Sequence, residues 1–246
     1  MGADAVLVAS IRDALAGAGD PERARGQQAY MKSALPYRGL RSPELAALLR
    51  PLLAEHRLDD RQVWEHTARE LWDGATHREE WYAAIALLRH RHYRAWLDPE
   101  LLPLLRHLLV TGAWWDVVDE VSAHLVGGVL AGHREAVTPV VRRWATDEES
   151  MWVRRAAILA QLRHRADTDT ALLADAVEAN LEGSAYGSEF FVRKAVGWAL
   201  REHSRTDPDW VRAFVDAHAD RLAPLSRREA LRLLPQTGTS STAPTA

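Results

Sequence analysis

The chain has 246 residues, 47% of them hydrophobic, which is enough to bury one large core or two small ones. It contains no cysteine, so disulfides, thiolate zinc sites, iron–sulfur clusters and cysteine nucleophiles are excluded. The formal net charge of -3 offers no overall attraction to nucleic acid, yet all but two of the 31 basic residues are arginine, the exceptions being Lys32 and Lys194. Arginine forks onto phosphate bidentately and stacks on aromatic rings, so the average charge understates the chain's capacity for phosphate. The stretch Met1-Gly2-Ala3-Asp4-Ala5-Val6 lacks the cationic start of a signal peptide, and no apolar run approaches membrane-spanning length. The expectation is a soluble, cytoplasmic chain.

In chain order the sequence reads as helix after helix, with no strand pattern. Apolar residues recur at intervals of three and four, as in Leu45, Leu48, Leu49, Leu52 and Leu53, or Trp81, Ile85 and Leu88. Breaks are expected at Pro36 to Gly39, Pro51, Gly74, Pro99, Gly112, Gly132, Thr146 to Ser150 and Gly183 to Gly187. Segments between breaks run roughly 12 to 18 residues, one helix each. Ser42-Pro43-Glu44, Asp98-Pro99-Glu100 and Asp207-Pro208-Asp209 each put a cap before a first-turn proline. The expected fold is therefore all-α: about a dozen helices in stacked antiparallel pairs, a single-domain HEAT-like α-solenoid over residues 1–235 with a concave binding face. The tail 236–246, rich in Thr, Ser, Pro and Ala, has little to bury and is expected to be disordered.

Three segments carry polar chemistry on otherwise apolar helices. In Trp114-Trp115-Asp116-Val117-Val118-Asp119-Glu120, the residues Trp114, Val118, Val121 and Leu125 follow the helical repeat and read as core. Trp115, Asp119 and Ser122 share another face, so an indole sits beside a carboxylate away from the packing stripe. In Met151 to Leu162 an apolar helix is interrupted by Arg154 and Arg155, charges that a buried helix keeps only with partners. In Phe190 to Arg201, the residues Lys194, Trp198, Arg201 and Arg205 fall four, three and four apart, one stripe of an aromatic with three cations.

These segments, with Gln28-Ala29-Tyr30-Met31-Lys32-Ser33-Ala34-Leu35-Pro36-Tyr37-Arg38-Gly39-Leu40, occur in an order that resembles the AlkD-type DNA alkylation repair family over roughly residues 10 to 220. The resemblance implies a HEAT-like DNA glycosylase that removes N3- and N7-alkylated purines from double-stranded DNA, as a monomer, without cofactor or metal. It matches Asp119 to the catalytic aspartate, Trp115 and Trp198 to the tryptophans flanking the damaged nucleotide's sugar, and Arg154, with Arg155 adjacent, to the active-site arginine. Lys194 and Arg201 match positions on the DNA-facing side, Arg205 extends their stripe, and Lys32 lies in a motif typical of the family.

The residue types suit that chemistry. An N-alkylated purine is a cation whose glycosidic bond is already weakened, so one carboxylate that steadies an oxocarbenium-like sugar and places a water suffices. Blander readings stand beside it. Trp115 and Trp198 can be core aromatics, Asp119 a solvated carboxylate, and Asp116 a helix cap. The arginine pair can serve an ion-pair network with Asp147, Glu148 and Glu149. His90 and His92 diverge on a helix and have no third ligand near them, and the remaining tryptophans read as packing residues. A HEAT-like scaffold that binds protein or DNA in its groove and catalyses nothing is the alternative for the whole chain.

Overall fold

The computed structural model describes residues 2–235. The tail 236–246 lies outside the described residues. All regular structure among the described residues is helical, as the periodicity requires, and the helical repeat architecture expected from the sequence is the one observed. The chain divides into two compact units, Met1–Val140 and Val141–Ala246. The first contains α1 (Ala5–Gly17), α2 (Pro21–Met31), α3 (Ser42–Glu55), α4 (Arg61–Asp73), α5 (Arg78–Leu88), α6 (Leu102–Gly112), α7 (Trp115–Glu120) and α8 (Gly127–Gly132). The boundary falls within α9 (Arg134–Ala145). The second contains α10 (Met151–Leu159), α11 (Thr170–Glu178), α12 (Phe190–His203), α13 (Pro208–Ala217) and α14 (Pro224–Ala230).

Helix starts are set by short acidic or hydroxyl side chains. Asp4, Asp20, Asp60, Ser150, Asp169 and Asp207 each accept a first-turn backbone N–H, satisfying donors that the helix itself leaves over. Two expected boundaries move. Ser42 is the first residue of α3 rather than its cap, because Glu44 reaches back to the N–H of Arg41 at 2.8 Å. Pro51 lies inside α3 instead of ending it. Its ring and Ala47, whose carbonyl loses a donor, both lie on the exposed side, while Leu45, Leu49 and Leu53 pack inward.

The core of the first unit forms where α1 lies on α4 and α5. Leu7, Ile11 and Leu15 of α1 are fully buried, as are Trp64 and Leu71 of α4 and Leu87 and Leu88 of α5. Each such leucine contributes about 1.5–3 kcal/mol of transfer free energy. In the second unit α12 is central and packs against α10, α13 and α14. Gly197 permits the closest of these approaches, since a Cβ there would stand 2.6 Å from the Cβ of Glu229 on α14.

Charge, too, is built into the first unit's interior. Arg78, Glu79 and Glu80 open α5 and are all buried. Glu79 accepts hydrogen bonds from three successive backbone N–H groups, Arg38 (2.9 Å), Gly39 (2.9 Å) and Leu40 (3.3 Å). The loop after α2 is thereby folded onto the start of α5, and the N–H of Arg78 returns a bond to the Pro36 carbonyl at 2.9 Å. Gly39 is needed there: its φ is +95°, and a Cβ would lie 2.1 Å from the Asp20 carbonyl oxygen. Glu80 instead receives Arg12 Nε and the Thr76 hydroxyl, both at 2.8 Å. Burial alone would raise the pKa of Glu80, but the hydrogen bonds from Arg12 and Thr76 outweigh it and hold the carboxyl below its ordinary value.

Replacing Glu79 with Ala strands three backbone donors and should cost about 3 kcal/mol, read as a lower urea midpoint. A loss below about 1 kcal/mol would mean that the loop holds itself. For Glu80 the sign follows from its depressed pKa. Its stabilisation is present above the unfolded value of about 4.3 and is lost as pH falls through the lower folded value. Urea midpoints between about pH 6 and pH 3 should therefore fall less steeply in Glu80→Gln than in the wild type. Identical slopes would contradict the assignment.

Candidate functional site

The Trp-Trp-Asp segment starts one residue later than its periodicity suggests. Trp114 has φ -152° and ψ 147°, extended backbone, so it precedes α7, and Trp115 is the first helical residue. The expected division between a core Trp114 and a displayed Trp115 is corrected accordingly. Both indoles are half-buried, and both pack against Ala24, Met31 and Tyr37 from α2 and its loop. Asp119, one turn beyond Trp115 on the same face, is half-buried as well. Ser122 does not continue that face. It is buried, its hydroxyl donates to the Val118 carbonyl, and from Val121 to Val126 the helix widens into a π-helical turn before α8.

Asp116 is more than the helix cap it resembles in sequence. Its carboxylate accepts from Arg78 Nη2 at 2.7 Å and from the Tyr82 hydroxyl, and the Tyr37 hydroxyl lies 3.0 Å from that of Tyr82. The Arg78 guanidinium also stands 4.5 Å over the Trp81 ring. Burial, followed by the charge of Asp116 and its hydrogen bond, pushes the Tyr82 pKa well up, so the phenol stays a donor. Burial lowers the affinity of Arg78 for its proton, yet Asp116 and Tyr82 more than offset that and the guanidinium remains charged. This network fixes the first turn of α7 and hence the rung on which Trp115 and Asp119 stand. Its members Arg78, Tyr82 and Tyr37 carry no local sequence signal, since they reach Asp116 from two other elements. Lys32 also belongs to this unit; it is exposed and closes α2 in the left-handed conformation at φ +49°.

The second unit gives the arginine pair a different setting from the one expected. Arg154 is 5% and Arg155 4% exposed. Arg154 Nε donates to the Asp147 carbonyl at 2.6 Å, Nη2 to that of Thr146 at 3.2 Å, and Nη1 to that of Ala179 at 3.2 Å. Its guanidinium lies 5.1 Å over the Tyr186 ring. Asn180, itself buried, adds bonds to the carbonyls of Ala145 and Ala176, both at 2.9 Å. Arg154 and Asn180 thus collect the carbonyls left over at the ends of α9 and α11. Arg155 Nη1 donates to the Phe191 carbonyl in the first turn of α12. Neither guanidinium is displayed, because backbone carbonyls of neighbouring helices claim both, at the ends of α9 and α11 for Arg154 and in the first turn of α12 for Arg155.

Along α12 the stripe exists, and its members differ. Lys194 is exposed; Trp198 is half-buried against the core of its unit. Arg201 is ion-paired with Glu229, and Arg205, which is exposed, lies 3.3 Å from Glu202. The structure therefore brings together Trp115 with Asp119 in one unit and Lys194, Trp198, Arg201 and Arg205 in the other.

A model of the family described as DNA alkylation repair enzyme matches residues 11–234. A search of curated proteins gave no match. Among solved structures, one described as a predicted DNA alkylation repair enzyme from Enterococcus faecalis is similar at a TM-score of 0.78 and 29% identity, over 89% of this chain and 97% of that one. 

The Asp116 network yields a stability prediction. Asp116→Asn leaves the buried Arg78 without its counter-charge and should cost about 3 kcal/mol, whereas Tyr82→Phe should cost about 1 kcal/mol. Urea denaturation of both and of the double variant measures their coupling, and purely additive losses would show that the two contacts do not form one network.

Proposed function

The chain belongs to the DNA alkylation repair enzyme family, and from that membership we propose that it is a monofunctional DNA glycosylase hydrolysing the N-glycosidic bond of N3- and N7-alkylated purines. A role in DNA alkylation repair comes with the family; the reaction type and the residues that perform it are our inference. The observation that carries the reading is the placement of Trp115 and Asp119, half-buried and one helical turn apart, on a helix whose first turn is anchored by Asp116.

In the proposed reaction the C1′–N bond breaks and its electron pair passes to the cationic base, which leaves neutral. The sugar becomes oxocarbenium-like, water adds at C1′, and the water's proton passes to the Asp119 carboxylate or solvent. The product is an abasic site. No strong general acid is required, because alkylation has already supplied the positive charge that protonation would otherwise provide. The Asp119 carboxylate stabilises the sugar cation and orients the water. The faces of Trp115 and Trp198 favour a cation by about 0.5–2 kcal/mol each.

Double-stranded DNA is held through its phosphates, with Lys32, Lys194 and Arg205, all exposed, among the cations that meet them and Arg201 shared with Glu229. Arg154 and Arg155 act as positioning residues that hold the starts and ends of α9 to α12, a role suited to guanidiniums bonded to backbone carbonyls. A Schiff-base route needs an amine, and the chain's lysines are Lys32 and Lys194, which the proposal assigns to DNA contact.

Release of 3-methyladenine and 7-methylguanine from alkylated duplex DNA is the test. Asp119→Asn should slow single-turnover release by about 100-fold or more while DNA affinity stays within about twofold. Undiminished release by the variant would remove Asp119 from the chemistry. A wild-type protein that binds DNA and releases nothing would replace the glycosylase with a non-catalytic binding scaffold.

A further inference from the structure

α14 is seated along α12 on the line of Arg193, Gly197 and Arg201, which fall at intervals of four. The Ser226 hydroxyl donates to the Arg193 carbonyl at 2.8 Å, Gly197 has no Cβ to hold Glu229 away, and the Glu229 carboxylate receives Arg201 Nη1. Lys194 and Trp198 each follow one of these positions by a single residue, and their stripe converges with the α14 line at Arg201. The face of α12 that carries the aromatic and the cations therefore has α14 as its neighbour.

Glu229 serves two arginines at once. Its Oε2 takes Arg201 Nη1, and Arg232, in the turn after α14, brings its own Nη1 to 3.8 Å from Oε1. The Glu229 side chain is 15% exposed, those of Arg201 and Arg232 20% and 66%, so the carboxylate is the least accessible member of the trio. Two guanidiniums and one carboxylate leave a net positive charge. Nε and Nη2 of Arg201 make no hydrogen bond among the described residues and are not sealed from solvent. A guanidinium carries five N–H donors, and most of those on Arg201 remain to be used. Paired guanidiniums with free donors suit a phosphate, which accepts on several oxygens.

We propose that Arg201 and Arg232 clamp one backbone phosphate of DNA, with Glu229 as the positioning residue that sets the two guanidiniums side by side. The proposal rests on the reading that α12 meets DNA through Lys194, and it adds to that face a contact from the turn after α14. A carboxylate near DNA repels it, so its presence here needs a compensating role. Holding two long, rotamer-rich side chains in place before DNA arrives supplies that role, because the cost of ordering them is then not charged to binding.

The experiment measures binding of the full-length protein to an undamaged DNA duplex by fluorescence anisotropy across a salt series. The variants are Arg201→Gln, Arg232→Gln, the two together, and Glu229→Gln alone and on top of both. Arg232→Gln should weaken binding by about fivefold, and the double variant should lose clearly less than the product of the single losses, because one phosphate is shared. In the double variant the slope of log K against log salt should fall by about 0.9, the share of one phosphate. Glu229→Gln should weaken binding by about threefold although it removes a negative charge, and should weaken nothing once both arginines are gone. A merely structural loss would persist in that background. Arg232→Gln binding within about twofold of the wild type, fully multiplicative losses, or tighter binding by Glu229→Gln overturns the clamp. The exposed Arg232 variant keeps the test decisive even if Glu229→Gln misfolds. Binding to undamaged DNA is read without base release, so each of these results leaves the glycosylase reading standing, whereas a wild-type protein that binds no duplex overturns both.

Discussion

Glu79 accepts three backbone N–H groups of the loop after α2, and much of the first unit's polar arrangement is arranged around that contact. On one side of it Arg78 reaches Asp116 at the start of α7, and on the other Glu80 reaches Arg12 in α1. Three consecutive buried charges at one helix start thus tie α1, the α2 loop and α7 to α5. Carboxylates near a helix N-terminus also lie at the favourable end of its dipole, which offsets part of their desolvation. Rigidity of this kind suits a site whose carboxylate must stand in one place beside an indole, because a displacement of about 1 Å costs a large part of any rate advantage.

The second unit solves a similar problem with opposite charge. Arg154 is placed where α9 and α11 present unpaired carbonyls, and it satisfies them directly rather than through carboxylates. Charge-assisted bonds of this type are stronger than neutral ones, so a single guanidinium can join several helix ends. The consequence for DNA is that arginine number overstates the phosphate-binding surface. Arg78, Arg154 and Arg155 are buried, and Arg201 pairs with Glu229.

Much of the fold is legible in the sequence because its rules are local. Helical periodicity and the Asp caps at Asp98 and Asp207 depend on neighbours within a turn or two. The misplacements arise where a distant contact decides. The apolar repeat through Val118 and Val121 runs back to Trp114 without revealing that Trp114 is already extended. Pro51 looks like a helix end until Leu45, Leu49 and Leu53 are seen packing through it. Arg154 looks displayed because the carbonyls it meets come from residues 146–147 and 179. Tyr82 and Asp116 are 34 positions apart, and nothing in either neighbourhood announces their bond. The aromatic–acid pair Trp115 and Asp119, by contrast, lies within one turn and is visible from spacing alone.

In the proposed reaction the Asp119 carboxylate assists departure of a base that already carries positive charge, and a neutral base would need a general acid that the proposal does not include. The most direct measurement compares single-turnover excision of 7-methylguanine with that of hypoxanthine, a neutral base, from otherwise identical duplexes. Release of 7-methylguanine is expected, with none of hypoxanthine above the uncatalysed rate. Comparable release of both would show that the protein protonates its leaving group, and would contradict a mechanism built on Asp119 and a cationic base.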